Sequence, residues 1–256
     1  MKDPKHILIT GANSGIGAAL ALKYATSGTF LYLSGRNKER LAKIEKQCAQ
    51  KGATVSAKVV DVKDHAKMQE WISSIKQLDL VIANAGISAG TGGEGGEEYK
   101  QIKEILDINI YGVINTIDPA INVMRQQGFG QIAIIASLAG YRGIPSSPAY
   151  CASKAAVKVY GEAMRVNLQK ENIALSVITP GYIVTPMTAV NDFYMPFLMK
   201  ADKAADIIIR KLRNNPARIA FPWPLYFVVW LISALPPCLI DPIMARLPSK
   251  PKARSF

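Results

Sequence analysis

Tyr150 and Lys154 lie four residues apart, and Ser137 stands thirteen residues before the tyrosine. Residues four apart on a helix share a face, so this spacing brings an ammonium beside a phenol. The phenol ordinarily titrates near 10 and must exchange its proton near neutrality to be useful. A cation ~5 Å away at an effective dielectric of ~20 supplies about 3 kcal/mol, or roughly two pKa units. Ser137 ends an apolar run, where its hydroxyl can hold a substrate oxygen as charge develops on it. The three side chains suit proton transfer to and from a carbonyl or alcohol oxygen. Singly they say little, because Tyr-x-x-x-Lys is common in helices and a strand-end serine often satisfies local backbone.

A second constellation opens the chain: Thr10-Gly11-Ala12-Asn13-Ser14-Gly15-Ile16-Gly17, between an apolar strand and the helix formers Ala18 to Leu22. Gly11, Gly15 and Gly17 let backbone amides approach a pyrophosphate, and the helix N-terminus adds its partial positive charge. Combined with the proton-transfer trio, the turn specifies a nicotinamide-dependent redox enzyme, in which the oxidised ring adds a second positive charge near Tyr150. The second strand ends in Gly35-Arg36-Asn37-Lys38, without the carboxylate that would accept a ribose 2′-hydroxyl. The 2′-phosphate of NADP suits that end better, clamped by the planar fork of Arg36 with Lys38 or Arg40 adding charge. The competing reading is a solvated helix start. Asp61 and Val62 close the third strand, where they can meet adenine, although Asp61 or Asp64 can equally cap the next helix. Asn84, Ala85 and Gly86 close the fourth, and Asn84 reads as a brace on neighbouring backbone.

Short apolar runs alternating with amphipathic stretches predict βαβ units and a parallel sheet. Strands are expected at residues 6–10, 30–35, 54–60, 78–83, 131–136, 174–179 and 218–221. The fold class is therefore α/β: one doubly wound Rossmann-type domain over residues 1–221, its seven-stranded parallel sheet flanked by helices, plus a hydrophobic then basic extension over 222–256. Every motif above falls at a strand's carboxyl end, where ligands collect in such sheets. At 256 residues the chain can bury one large core. Cys48, Cys151 and Cys238 lack disulfide or metal-ligand spacing, so unpaired thiols and no metal are expected. The N-terminus runs directly into a strand, which argues against export and for a cytoplasmic protein. Residues 90–98, rich in glycine and acid, read as a mobile surface loop that would repel phosphate.

The motif set resembles the short-chain dehydrogenase/reductase family over about residues 5 to 221. The matches run in order: the glycine turn, Asn84-Ala85-Gly86, Asn109, Ser137, Tyr150-x-x-x-Lys154, and Pro180-Gly181 with Thr185. The resemblance implies that Asn109 completes a catalytic tetrad, fixing a helix kink and a water through which Lys154 passes protons. It also implies that Lys154 holds the nicotinamide ribose while Ile183 and Thr185 bind the carboxamide. Ala83 stands where the family often has a second asparagine. Asn13 and Ser14 stand where many NADP-dependent members carry a basic residue, so preference for NADP(H) over NAD(H) rests mainly on Arg36.

Residues 141–148 and 182–200 follow the strand ends bearing Ser137 and Pro180 and should flank the substrate. Met187, Phe193, Tyr194, Met195, Phe197, Leu198 and Met199 suggest an apolar substrate behind a movable lid, or else a subunit contact. A homodimer or homotetramer is expected. Residues 219–240 are uncharged, but their prolines leave only 225–235 as continuous helix, about 17 Å against a hydrocarbon core of ~30 Å. Trp223, Tyr226 and Trp230 suit a membrane interface, and Arg246, Lys250, Lys252 and Arg254 suit anionic headgroups. Ten Lys or Arg against three Asp or Glu after residue 199 support that placement on the inner face of a membrane, the alternative being burial of the extension on a partner subunit. No nucleic-acid-binding signature accompanies the charge. Two alternatives stay open: the same chemistry on a polar or sugar-like metabolite, and a cofactor-binding sensor or scaffold without turnover.

Overall fold

Leu80–Ala83 (β4) and Gly130–Ile135 (β5) are buried at every position, the pattern of strands covered on both faces. In a computed structural model, which describes residues 2–93 and 95–252, these strands form the middle of a seven-stranded parallel sheet. The chain runs β1 (His6–Ile9), α1 (Gly15–Tyr24), β2 (Phe30–Gly35), α2 (Lys38–Gln50), β3 (Thr54–Val59), α3 (His65–Ser73), β4, α4 (Tyr99–Leu106) and α5 (Gly112–Gln127). It continues through β5, α6 (Pro148–Gln169), β6 (Ile173–Pro180), the short strands β7 (Ile183–Val184) and β8 (Met199–Lys200), α7 (Ala201–Leu212), β9 (Arg218–Phe221), α8 (Trp223–Ala234) and α9 (Pro237–Met244). The strand order is β3-β2-β1-β4-β5-β6-β9. Winding reverses between β1 and β4, so a crevice opens beyond their carboxyl ends.

Side-chain alternation builds two cores. Ile7, Ile9, Leu80 and Ile82 point into one with α1 and α7, whereas Leu8 and Val81 point into the other with α3 and α5. The expected strands are present with ends displaced by one or two residues. The pair β7 and β8 was not expected, and it joins the two ends of the segment that carries the aromatic and Met residues. Helix α8 starts at Trp223 rather than 225, because Pro222 sits at its cap and Pro224 in its first turn, where a missing N–H costs nothing.

The extension packs beside the sheet rather than away from it. The Tyr226 ring meets Tyr141 edge-on at 5.6 Å, the Arg142 guanidinium donates to the Leu235 carbonyl at 3.3 Å, and Ile240 is buried. Further along, the glycine-rich stretch is anchored where a free loop was expected. The Gly90 amide donates to the Pro251 carbonyl at 2.8 Å and the Gly92 amide to the Lys250 carbonyl at 2.9 Å. Position 94 and residues 253–256, Arg254 among them, lie outside the described residues.

Ile82 is fully buried at the centre of the sheet. Ile82→Ala should cost about 2–5 kcal/mol of unfolding free energy, read as a lower urea midpoint at unchanged slope.

Candidate active site

A staple of hydrogen bonds joins the two strands that border the crevice. Thr10 Oγ1 accepts from the amides of Asn84 (3.1 Å) and Ala85 (3.2 Å), while Asn84 Nδ2 donates to the carbonyls of Thr10 (2.9 Å) and Gly11 (3.2 Å). Asn84 is thus the backbone brace its sequence position suggested. The same closeness excludes side chains at the turn. A Cβ on Gly17 would meet Asn84 Nδ2 at 2.5 Å as well as the Gly11 carbonyl, and Gly11 and Gly15 adopt φ of +66° and +55°, a region costly for residues with a Cβ. Ser14 stands at the N-cap of α1 without a side-chain bond to the first-turn amides. That leaves donors and helix dipole at the turn for an anion, so the turn formed by Gly11, Asn13, Ser14, Gly15, Ile16 and Gly17 fits a dinucleotide pyrophosphate.

At the ribose end, Asn13 folds against Gly35, where a Cβ would lie 2.6 Å from its Oδ1. Arg36 follows directly, 45 % exposed, its guanidinium 4.0 Å from Asp61 and 3.9 Å from Glu104. Glu104 is held more tightly by Lys63, at 2.7 Å. Asp61 Oδ1 accepts from the Lys63 amide at 3.1 Å, and Asp64 is the residue that caps α3, through the Lys67 amide. Val62 is buried against Gly112, on which a Cβ would meet it at 2.5 Å. Lys63 and Glu104 are additions the sequence reading did not contain, since nothing in the chain ties residues 41 positions apart.

The catalytic candidates gather where β4, β5 and α6 meet. Asn109 is fully buried in a widened π-turn, Asp107–Tyr111, between α4 and α5. Its Oδ1 accepts from the Ile87 amide (2.8 Å), and its Nδ2 donates to the Ile87 carbonyl (2.9 Å) and Ser153 Oγ (2.9 Å). Lys154 projects from α6 into the sheet and donates to the Ile135 carbonyl at 3.0 Å. A Cβ on Gly86 would lie 3.2 Å from Asn109 Oδ1 and 3.3 Å from Lys154 Nζ, so both polar atoms converge on the open face of that glycine. Ser137 Oγ accepts from the Ala139 amide at 3.1 Å and keeps its O–H to donate. Lys154 Nζ lies 5.9 Å from the centroid of the Tyr150 ring.

Electrostatically, the pair differs from the sequence expectation. Burial pushes the Tyr150 phenol up to about 12, with the Ser137 hydroxyl pulling the other way. Burial also pulls Lys154 down to about 8. The expected two-unit depression of the phenol by Lys154 is absent, because removal from water disfavours both charges and the ammonium is spent on the Ile135 carbonyl. In this state Tyr150 keeps its proton.

On the far side, Pro180 ends β6, and the Gly181 amide donates to the Phe221 carbonyl at 2.8 Å. Ile183 is buried in β7, and Thr185 reaches back across the crevice, its Cγ2 2.9 Å from where a Cβ on Gly15 would stand. The residues expected to hold a dinucleotide therefore line one continuous rim. The structure adds Ser153, which anchors Asn109 and stands one position before Lys154, and Thr188, whose Oγ1 accepts from the Thr185 amide at 3.0 Å. It also adds Ser88 and Lys250, for which the chain offers no local signal. Cys48 and Cys151 are buried, and burial pushes both thiols up. Among the described residues, no cluster of His, Cys, Asp or Glu could hold a metal.

Comparison with known proteins agrees with this geometry. The family described as short chain dehydrogenase matches residues 5–192. An uncharacterised oxidoreductase of Myxococcus xanthus is 32% identical over 244 residues, covering 94% of this chain and 96% of that protein. A short chain dehydrogenase from Burkholderia cenocepacia in complex with NADP superposes with a TM-score of 0.82 at 21% identity, over 97% of this chain and 100% of its own. One from Mycobacterium paratuberculosis bound to NAD does so with a TM-score of 0.76 at 23% identity, over 86% and 97%.

The lowered Lys154 sets a sign for stability. Unfolded, the amine titrates near 10.4. Between about pH 8 and 10.4 the unfolded chain thus holds a proton on this amine that the native state has released, so the contribution of Lys154 to native stability rises with pH through this window. The rise attributable to Lys154 is up to about 3 kcal/mol. Lys154→Met should lower the slope by this amount, leaving a comparable rise from Lys250 and the opposing fall from the raised Cys48, Cys151 and Tyr150, as read by urea unfolding at pH 7.5, 9 and 10.

Proposed function

This chain belongs to the short-chain dehydrogenase/reductase family, an NAD(P)-dependent class of oxidoreductase, and on that footing we propose that it interconverts a carbonyl and a secondary alcohol on an apolar or lipid-like molecule, using NADP(H) in preference to NAD(H). The convergence of Asn109, Ser137, Tyr150 and Lys154 on the rim of the glycine turn carries this reading. When bound, the nicotinamide supplies the hydride chemistry. Ser137 donates to the substrate oxygen and orients its carbon. Tyr150, protonated at neutral pH because its phenol is pushed up to about 12, delivers that proton as alkoxide character develops. Lys154 is lowered to about 8 and so sits close enough to neutrality to return a proton to the tyrosinate. Alcohol oxidation runs the same transfers backwards.

The cofactor preference follows from Arg36, whose two carboxylate contacts are long enough for a 2′-phosphate to displace, with Lys38 and Arg40 beside it on α2. The apolar substrate follows from the segment between β7 and β8. Tyr194, Phe197 and Leu198 are exposed there, and Phe193 packs edge-on against Tyr182 at 6.3 Å. Residues 1–221 constitute the catalytic domain in this reading, with 222–256 as the extension. The extension would rest a cytoplasmic protein on the inner face of a membrane. Trp223, Phe227, Val228, Trp230 and Leu231 of α8 and Leu239 and Ile243 of α9 are exposed, an apolar surface suited to the headgroup boundary. Among the described residues, no helix is long and apolar enough to cross a membrane. The headgroup contacts need one correction. Lys250 turns inward and Lys252 faces Glu98 at 3.8 Å, which leaves Arg246 as the described cation for the lipid. A homodimer or homotetramer is part of the same reading.

Following NADPH absorbance over a panel of medium-chain ketones tests the chemistry. Tyr150→Phe should lower turnover by about 10²–10⁴-fold with NADPH affinity kept, and Arg36→Leu should reduce the NADPH-over-NADH preference about tenfold or more. Faster turnover with NADH in the parent enzyme would refute the cofactor assignment.

Flotation with anionic vesicles tests the attachment: the full chain should rise with them and a chain ending at Phe221 should not. Light scattering should read two or four copies of the 27.8 kDa chain. If truncation alters that mass while flotation fails, the apolar face is a subunit contact instead.

A further inference from the structure

The glycines at 90 and 92 make room for the chain's own tail. A Cβ on Gly90 would collide with the Lys250 carbonyl, and one on Gly92 would lie 2.9 Å from the Lys252 side chain. Two main-chain hydrogen bonds clip residues 250 and 251 along this loop, in the manner of a short added strand. The clip fixes where Lys250 points. Its Nζ donates to Ser88 Oγ at 2.6 Å and stands 5.5 Å from the centroid of the Tyr150 ring, closer than Lys154 does. Ser88 belongs to the loop leaving β4 just after Gly86, so the tail delivers a cation to the ring of the reacting tyrosine. Among the described residues, no carboxylate stands within ion-pair distance of Lys250.

An ammonium largely removed from water without a counter-ion is costly, and burial accordingly pulls Lys250 down to about 8. One hydroxyl does not replace its hydration, whereas an anion placed against it would. Lys154 cannot serve that purpose, because it is turned into the sheet toward the Ile135 carbonyl. We propose that Lys250 is a substrate-binding residue, carried into the active site by the C-terminal tail, that recognises a carboxylate on the molecule whose carbonyl or alcohol faces Tyr150. This inference rests on the enzymatic reading of Tyr150 and refines the substrate class to an oxo or hydroxy acid. The glycine-rich loop then acts as the tail's docking strip.

The test uses NADP⁺-loaded full-length protein and inert probes in matched pairs, decanoate with decanamide and butyrate with butyramide, titrated by calorimetry. In the parent protein each carboxylate should bind about tenfold or more tightly than its amide. Lys250→Gln should erase that difference while amide binding stays unchanged and the thermal midpoint does not fall, and Lys250→Arg should restore most of the carboxylate preference. A chain ending at Leu247 should lose the preference as Lys250→Gln does. Absence of a carboxylate preference in the parent protein, including absence of binding by all four probes, overturns the proposal, as does a preference that survives Lys250→Gln. The apolar-substrate reading fails separately, if the ten-carbon pair binds no more tightly than the four-carbon pair.

Discussion

Desolvation of the Lys154 ammonium is the constraint on which the rest of the site depends. An amine of this kind stays in water unless the fold replaces its hydration, and here the Ile135 carbonyl at the end of β5 and the polar pocket facing Gly86 do so. That pocket needs a glycine at 86, an asparagine at 109 and a widened turn of helix to carry it. Asn109 in turn uses both ends of its amide on Ile87 and Ser153, so three elements are locked to one another through a single buried polar network. The stability given up by burying the cation is the condition for a lysine whose proton is mobile near neutral pH.

Burial of the neighbouring phenol has the opposite effect on its pKa and a compatible effect on function. Tyr150 holds its proton and Lys154 releases one more readily, so the two values cross and move apart, the phenol now titrating above the amine. The spacing of tyrosine and lysine predicted an attraction that would acidify the phenol. The fold instead separates ammonium from ring by 5.9 Å and spends the charge on backbone, leaving the acidifying influence to Ser137. What the spacing lacked was the solvent, because exposure is a property of the assembled layers and not of four consecutive residues.

Most of the architecture was legible because it depends on periodicity and on glycine. Apolar runs such as Ile7–Ile9 and Val81–Ala83 have to be buried on both faces, and the glycines of the turn mark places where a Cβ cannot stand. Helix α8 begins two residues before the stretch that proline's role as a helix breaker implies, because in a first turn proline breaks nothing. The small pair β7 and β8 escaped because two-residue strands carry no period. Residues 90–93 depart from the expected mobile loop for a related reason. Glycine and acid look like an unstructured loop until the segment that fills the space beside them is known.

The sequence by itself determined the oxidoreductase class, and residue types and their order singled out Ser137, Tyr150, Lys154 and the glycine turn as candidates, because local geometry on a strand end or helix face follows from spacing of a few residues. Tertiary structure alone decided which charges meet across long separations. Arg36 beside Glu104, Asn109 beside Ile87, and above all Lys250 beside Ser88 and Tyr150 are contacts closed by winding of the sheet and return of the tail. Electrostatic energy depends on distance and on the water between two groups, and over such intervals of chain neither quantity is written in the residues that lie between.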